Sequence, residues 1–327
     1  MKMKRNMVMG GIGIALMAGF VMGCASPVAT NGADALKQGG RAISLRGAPN
    51  LGSAATVAVF GGGAGVTNSG TLTQILGDLG TTGASTMITG FHSSAFSYTE
   101  TPLNVGAVSG TVYTDAPQGN ATDLAHAQAI AADSLIAFND LAARPKGSDP
   151  GAGQLGGLTL PAGVYKSASG AFLLTGSDLT LDAQRDPNAV WIFQMASTLT
   201  VGTPSGPCSV ILVNGAKASN VYWQVGSAAT INGAGGGTMV GTIMARAGVT
   251  FSTAGNPAVT VLNGRALALC ASITMVNTMV NATAANAGGV VSDGDKHDKD
   301  NDKKDSHKND RGFGGDQKGG QDFRWDR

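Results

Sequence analysis

Charged and aromatic residues are scarce in this sequence: 13% are Asp, Glu, Lys or Arg, and 5% are Phe, Trp or Tyr. The net charge is only +1, so the sequence does not indicate the basic face or stripe that binds nucleic acid, and we expect no nucleic-acid partner. Low charge does not imply disorder here, because 43% of the residues are hydrophobic and that is enough for a buried core. The sequence therefore predicts a folded chain.

Proline is also infrequent, with 11 residues, whereas glycine is abundant, with 50 residues in 327. The glycines do not recur at every third position, which excludes a collagen-like chain, and the low proline content excludes a polyproline chain. Abundant glycine also disfavours a mainly helical protein, because glycine weakens helix interiors. The composition favours a β protein with many turns.

Histidine and cysteine are too few and too scattered to indicate a metal centre. Outside the charged C-terminal stretch the only histidines are His92 and His126, which lack metal-ligand spacing, so we expect neither a metal nor a cofactor. The three cysteines are Cys24, Cys208 and Cys270. With Cys24 assigned to a lipid anchor, Cys208 and Cys270 form an even pair, which leaves two alternatives open: a disulfide, or two buried thiols that never meet.

The N-terminal residues are typical of an export signal. Lys2, Lys4 and Arg5 precede an apolar run, and the run ends at Cys24, so residues 1–23 are predicted to be a lipoprotein signal peptide with lipidation at Cys24. Ala25 follows the cysteine and favours the outer membrane or cell surface, and secretion is the alternative. Residues 24–50 lack apolar periodicity and are predicted to be a flexible tether.

The C-terminal residues have a different composition from the rest. From Asp293 onward the chain carries 10 of its 21 acidic and 9 of its 22 basic residues, so residues 283–327 are predicted to form a disordered, charged tail. Asp298, Asp300 and Asp302 resemble half of a calcium loop, but Lys303 occupies the position of the loop glycine. We interpret this stretch as solvated tail.

One short pattern, an apolar residue, a threonine and a second apolar residue, recurs between residues 174 and 280. Its central threonines are Thr180, Thr200, Thr230, Thr250 and Thr274. Repeats at this spacing, separated by turn residues, are typical of a solenoid in which each coil adds one strand to each face. Because side chains alternate along a strand, the apolar neighbours would point inward and the five threonines would stack on one outer face.

A second set of strands is apolar on both faces and needs an outer cover. These strands are predicted at residues 190–194, 210–213, 221–225, 239–244 and 265–269. The candidate cover is a helix over residues 122–143, capped by Thr122 or Asp123 and stopped by Pro145. Its predicted apolar stripe consists of Leu124, Gln128, Ala131, Leu135, Phe138 and Ala142, broadened by Ile130 and Leu141.

Six stretches stand out in order between residues 50 and 280: VTNSGTLTQILGDLG at 66–80, LPAGVY at 160–165, WIFQ at 191–194, LVNGA at 212–216, NVYWQVG at 220–226 and GRALA at 264–268. Together they resemble one known family, the microbial ice-binding proteins. The resemblance implies a mainly β fold: a right-handed, discontinuous β-solenoid over residues 51–282 with one long α-helix alongside. It also implies that the N-terminal segment completes the stack beside the C-terminal coils.

The resemblance further implies a flat face that adsorbs to ice, with an ice crystal as the partner of a monomeric protein that is not an enzyme. Some members carry a Thr-(Ala/Gly)-any-(Thr/Asn) motif, which is complete here at residues 253–256, with residues 82–85 close to it. The candidate ice-binding residues are Thr180, Thr198, Thr200, Thr230, Asn232, Thr250, Ser252, Thr253, Asn256, Ser272 and Thr274.

Two other functions remain open on the sequence. The same scaffold would serve a surface adhesin or a polysaccharide-binding module. Solenoids also host carbohydrate enzymes, which need clustered carboxylates. The local cluster of Asp178, Asp182, Arg185 and Asp186 is the candidate, and a solvated turn is its alternative interpretation.

Overall fold

The computed structural model describes residues 47–145, 147–253 and 258–283. The predicted signal peptide, Cys24 and the charged tail from Asp293 lie outside these residues. Across the described ranges, no helix combines the length and apolarity that a bilayer-spanning segment requires.

The described residues form 23 short strands, almost all of them parallel to their neighbours, and one long helix. Before the helix the strands are β1 (Val57–Gly61), β2 (Val66–Asn68), β3 (Thr73–Leu76), β4 (Asp78–Ala84), β5 (Ile88–Thr89), β6 (Phe91–His92), β7 (Ser97–Tyr98), β8 (Gly106–Val108) and β9 (Val112–Asp115). The helix is α1 (Ala121–Ala143).

After the helix the strands are β10 (Thr159–Pro161), β11 (Gly163–Lys166), β12 (Phe172–Leu174), β13 (Leu179–Asp182), β14 (Trp191–Met195), β15 (Leu199–Val201) and β16 (Val210–Val213). They continue with β17 (Val221–Val225), β18 (Ala229–Ile231), β19 (Thr238–Ala245), β20 (Val249–Phe251), β21 (Thr260–Ala268), β22 (Ile273–Met275) and β23 (Thr278–Asn281).

These strands form three sheets, as expected for coils that contribute one strand to each side. A thirteen-stranded sheet contains β11, β14, β17, β19 and β21, a seven-stranded sheet runs in the order β12-β15-β18-β20-β22-β2-β5, and a three-stranded sheet runs β10-β13-β16. Consecutive strands such as β14, β15 and β16 therefore lie in three different sheets. The predicted β-solenoid is confirmed.

The stack does not follow chain order, because the N-terminal strands add to the C-terminal coil. β1 pairs with β21, β2 pairs with β22, and β3 pairs with β23, all in parallel. This confirms the expected discontinuity, in which the N-terminal segment completes the stack.

The interior is filled by the inward side chains of the three sheets. Phe193 stacks on Trp223 with ring centroids 4.2 Å apart and on Tyr165 at 5.4 Å, and Phe172 meets Phe193 edge-on at 6.0 Å. The buried indole of Trp223 donates from Nε1 to the carbonyl of Val240 at 2.9 Å, so its polar atom is satisfied. Aromatic rings stacked from coil to coil thus hold neighbouring rungs together.

The helix α1 covers the outer side of part of the thirteen-stranded sheet, as predicted for β14, β17, β19 and β21. The prediction was wrong for residues 210–213, because they form β16 of the three-stranded sheet, where Ile211 is exposed. It begins one residue before the predicted start, because the N-cap is Asn120, whose Oδ1 accepts from the backbone N–H groups of Thr122 and Asp123. At the other end, Nε2 of the buried Gln194 donates to the carbonyl of Leu141 at 2.7 Å.

The predicted apolar stripe of the helix was wrong in part. The buried helix residues are Ala127, Ile130, Ser134, Ala137, Phe138 and Leu141, whereas Gln128 and Ala142 are exposed. The contact face combines three small side chains (Ala127, Ser134 and Ala137) with three large ones (Ile130, Phe138 and Leu141), and it packs on sheet residues such as Tyr222 and Met244. His126, expected in solvent, is partly covered by Tyr113, with ring centroids 4.2 Å apart.

The open end of the solenoid beside β12 is closed by residues 147–158, and Asp149 organises this segment. Its carboxylate accepts from the backbone N–H groups of Gly153 at 2.7 Å, Ala168 at 2.8 Å and Gly151 at 3.4 Å. Desolvation acts to raise the pKa of Asp149, but these three hydrogen bonds outweigh it, and the pKa lies below its ordinary value.

Because the pKa of Asp149 is lowered in the folded state, we expect the closing segment 147–158 to become less stable in acid. The contribution of Asp149 to the free energy of unfolding is complete above the unfolded pKa of about 3.9 and is lost as the pH falls through the folded pKa. We expect Asp149→Asn to lower the free energy of unfolding at pH 7 by about 1–2 kcal/mol, because the charged acceptor is lost. Urea unfolding over a pH series measures this, and the difference between wild type and variant should shrink at acid pH. A difference that stays constant at every pH would contradict this role.

Candidate functional site

One outward row of threonines crosses the seven-stranded sheet. The register places Thr89 beside Thr67, Thr67 beside Thr274, and Thr274 beside Thr250. It then places Thr250 beside Thr230 and Thr230 beside Thr200. We call this outward side of the sheet the threonine face; its row consists of Thr89, Thr67, Thr274, Thr250, Thr230 and Thr200.

The strands hold these side chains outward because the neighbouring residues are buried in the core. Val249 and Phe251 flank Thr250, and Ile273 and Met275 flank Thr274; all four flanking side chains are at most 1% exposed. Adjacent strands lie about 4.8 Å apart, so six threonines in register form a straight row roughly 24 Å long.

The threonine hydroxyls also bond to one another along the row. Oγ1 of Thr89 donates to Oγ1 of Thr67 at 3.1 Å, and Oγ1 of Thr274 donates to Oγ1 of Thr250 at 3.2 Å. β-Branching restricts χ1 at each position, and these contacts restrict it further. Each threonine of the row therefore presents a methyl and a hydroxyl group on a side chain with restricted χ1.

A second row beside the threonines carries small side chains. Backbone hydrogen bonds from Leu199 N–H to Ala228 O, from Ala229 N–H to Gly248 O and from Val249 N–H to Ser272 O align this row. Its members are Thr198, Ala228, Gly248, Ser272 and Gly65. Since none of these side chains is larger than threonine, the face stays flat beside the main row.

The threonine face is also free of charge. The seven strands that build it, from β12 to β5, contain no Asp, Glu, Lys, Arg or His residue over their described lengths. No ionised group on these strands therefore orders water around itself in a competing geometry, and no titratable group on them changes state with pH.

The structure brings together six of the predicted candidate residues and separates the others. Thr200, Thr230, Thr250 and Thr274 lie in the main row, and Thr198 and Ser272 lie in the second row. Thr253 is exposed beyond the end of β20, where its backbone N–H donates to Gly233 O at 2.9 Å. Asn256 falls outside the described residues.

The placement of Thr180 in this row was wrong. Thr180 lies in β13 of the three-stranded sheet, between Thr159 and Ile211, and so on another side of the solenoid. The physical reason is that one coil contains more than one strand with the apolar-Thr-apolar pattern. β13 enters the three-stranded sheet, whereas β15, further along the chain, enters the seven-stranded sheet.

Asn232 and Ser252 were expected on the face but are buried. Their φ angles are +47° and +46°, and this left-handed conformation turns each side chain away from the outer row. The carboxamide of Asn232 bonds the backbone of Cys208 twice: Oδ1 accepts from N–H and Nδ2 donates to the carbonyl, both at 3.0 Å. Asn232 therefore fixes the turn and does not reach the surface.

Thr67 and Thr89 were missed by the sequence analysis. Each follows a buried apolar residue, Val66 or Ile88, but the next residue is Asn68 or Gly90, so neither matches the full apolar-Thr-apolar pattern. In the sequence they lie more than 100 residues before Thr200, and α1 comes between them and Thr200. The regular spacing of the threonines is therefore interrupted. What identifies them is the register of β2 with β22 and with β5, which the short pattern does not display.

The two cysteines predicted as a possible pair do not form a disulfide with each other. Cys208 is a buried free thiol just before β16, whereas Cys270 lies in the turn that follows β21. Cys208 lies at the corner where the chain enters the three-stranded sheet. Cys270 lies at a different corner, where the chain passes from the thirteen-stranded to the seven-stranded sheet.

The candidate carboxylates of an enzyme have structural partners. Oδ1 of Asp178 accepts from Ser209 N–H at 2.7 Å, and Oδ1 of Asp182 accepts from Gln184 N–H and from Asn214 Nδ2, both at 2.8 Å. These hydrogen bonds lower the pKa of Asp182 below its ordinary value. Oδ1 of Asp186 accepts from Asn188 N–H at 2.8 Å, and Arg185 lies in the same exposed turn.

Asp178 and Asp182 bracket β13 from its two ends, roughly 13 Å apart along the strand, and therefore do not face each other. Over residues 47–145, 147–253 and 258–283, His, Cys, Asp and Glu side chains do not gather in groups of three that would hold a metal ion. The cluster is accordingly a set of turn-stabilising groups.

Comparison with known proteins adds a family match over this part of the chain. A family model described as "Ice-binding-like" matches residues 60–281. An ice-binding protein from Nostoc sp. (strain HG1) is 39% identical over 236 residues, which cover 71% of this chain and 74% of that protein.

Solved structures give the same result. An ice-binding protein from an Antarctic biological consortium is 35% identical with a TM-score of 0.55, and the match covers 71% of this chain and 90% of that one. A domain of ice-binding protein 1 from Shewanella frigidimarina is 27% identical with a TM-score of 0.59, and the match covers 72% and 97% of the two chains. The range matched by the family model includes all six threonines of the row.

Proposed function

This chain belongs to the ice-binding-like family, and from this premise we propose that it binds ice through the threonine face. The observation that carries the proposal is the row of six threonines in register on a rigid sheet without charged residues. Such a row presents one hydroxyl and one methyl group at every strand spacing of about 4.8 Å.

The chemistry of threonine suits an ordered layer of water. Each methyl group restrains neighbouring water without offering a competing hydrogen bond, and each hydroxyl both donates and accepts, so it anchors the layer. The strand spacing repeats regularly and is commensurate with oxygen spacings on some planes of ice. The face thus holds water in an ice-like arrangement that merges with a crystal surface.

The other two sides of the solenoid are less suitable. Part of the thirteen-stranded sheet is covered on its outer side by α1, whose Phe138 and Leu141 are buried in the cluster that includes Tyr222. The three-stranded sheet has an outward row of only Thr159, Thr180 and Ile211, and Asp182 ends its central strand. Neither side offers a long, flat and uncharged row.

Adsorption to ice requires no bond making. A protein fixed on a growing crystal forces the ice between adsorbed molecules to grow with a curved surface, which lowers the local freezing temperature and slows recrystallisation. All six threonines belong to one chain, so we propose that the protein acts as a monomer.

Bulky substitution in the middle of the row tests the proposed face. We expect the double variant Thr230→Tyr, Thr250→Tyr to lose most of the thermal hysteresis, because two rings would hold the face away from the crystal. Thr180→Tyr is the matched control, since it introduces the same ring on the three-stranded sheet, and it should retain wild-type hysteresis. Ice-affinity partition and hysteresis of the full chain measure both.

Circular dichroism and the melting temperature establish that the variants are folded. If the folded double variant keeps wild-type hysteresis while Thr180→Tyr loses it, the binding site lies on the three-stranded sheet and our assignment is wrong.

We also propose that the protein is exported and anchored to the outer membrane through a lipid on Cys24. The support comes from Lys2, Lys4 and Arg5 ahead of the apolar run that ends at Cys24. An anchor of this kind would hold the threonine face outside the cell, where ice forms.

The anchor predicts a change of location on substitution of one residue. Cys24→Ser in the full-length chain should abolish incorporation of labelled fatty acid and move the protein out of the membrane fraction, because the thiol that takes the lipid is missing. Cys208→Ser is the control for loss of a thiol, and it should leave the labelling unchanged. Labelling that persists in Cys24→Ser would rule out this anchor.

A further inference from the structure

The row of threonines stops at one edge of the seven-stranded sheet, where the same position is occupied by leucine. The register places Leu173 of β12 beside Thr200, in line with the six threonines. Its neighbours Phe172 and Leu174 are fully buried, so Leu173 points outward as the threonines do. Leu173 is therefore the seventh residue of the row.

The backbone at this position has the geometry of the other strands. Leu173 N–H donates to Gly153 O at 2.8 Å, and Leu155 N–H donates to Leu173 O at 2.7 Å. Both backbone groups of this edge residue are thus satisfied by the closing segment 147–158. A change of side chain at residue 173 should leave the strand in place, and threonine is favourable in strands.

The side chain of Leu173 differs from threonine in two ways that matter for ice. It has no hydroxyl, so it does not anchor a water layer, and it is one carbon longer from Cα, so it projects further from the sheet. Its exposed fraction is 42%, so much of this large apolar side chain is in contact with solvent. An exposed branched chain at the end of the row interrupts both the hydroxyl pattern and the flat surface.

The row does not continue beyond Leu173. The next aligned residue is Gln154, whose Nε2 donates to Thr175 Oγ1 at 2.8 Å and whose Oε1 accepts from Gly156 N–H at 3.0 Å. At the opposite edge the exposed side chain of Met87 lies two residues before Thr89. Large apolar side chains thus stand at both ends of the threonine face.

We propose that Leu173 sets the length of the ice-binding row and limits the strength of adsorption. This inference rests on the proposed function of the threonine face. Replacing Leu173 by threonine would extend the row from six to seven hydroxyl-bearing positions without moving the backbone, and the protein would then bind ice more strongly than it does now.

The experiment compares three variants of the full chain with wild type at equal molar concentration. We expect Leu173→Thr to raise the thermal hysteresis by roughly one sixth, which is the gain from six to seven contacts if they contribute equally and additively. Leu173→Ala removes the projecting chain without adding a hydroxyl, and its hysteresis should lie between those of wild type and Leu173→Thr.

The matched control is Ile211→Thr. Ile211 is exposed to almost the same degree, 41%, and lies in line with Thr180 on the three-stranded sheet. The variant Ile211→Thr makes the same kind of replacement on another side of the solenoid, so the thermal hysteresis of this variant should equal that of wild type.

The outcomes separate this inference from the proposed function. If Leu173→Thr is folded and has unchanged or lower hysteresis while Thr230→Tyr, Thr250→Tyr is inactive, Leu173 does not limit the row and only this inference fails. If Leu173→Thr and Ile211→Thr rise equally, the gain does not come from the row and the inference is overturned. If Thr230→Tyr, Thr250→Tyr stays fully active, the proposed face itself is wrong.

Discussion

The threonine face depends on the parallel pairing of β2 with β22, where the N-terminal coils meet the last C-terminal coil. This pairing aligns Thr67 with Thr274, residues that are 207 positions apart in the chain. A slip of one residue would turn Thr67 toward the core, because side chains alternate along a strand. Buried Asn277 helps to fix the register, since its Oδ1 accepts from the backbone N–H groups of Thr71 and Leu72, both at 3.1 Å.

The fold and the centre of the site could be predicted because they follow from local patterns. Strands β15, β18, β20 and β22 each carry an outward threonine between two inward apolar residues, so the alternation alone identifies Thr200, Thr230, Thr250 and Thr274. The helix was also predictable, since the sheet strands are apolar on both sides and need a cover. These features are properties of short segments, and the sequence displays short segments directly.

The remaining features depend on interactions between distant parts of the chain or on backbone angles that the sequence pattern does not display. The assignment of β13 to a different sheet from β15 depends on where each coil bends, and the pattern around Thr180 is the same on either sheet. Asn232 is buried because its φ angle is positive, which simple alternation does not reveal. The contribution of Thr67 depends on how the N-terminal strands return to the stack.

The most direct test of this account is the ice affinity of Thr67→Tyr in the full chain. Thr67 completes the row only if the N-terminal and C-terminal coils form one continuous face, so we expect the folded variant to lose most of its partition into ice. Gln74→Tyr places the same ring on an exposed position of the same N-terminal coil, outside the threonine face, and should partition as wild type does. Full ice partition by folded Thr67→Tyr would contradict a binding face that spans the junction.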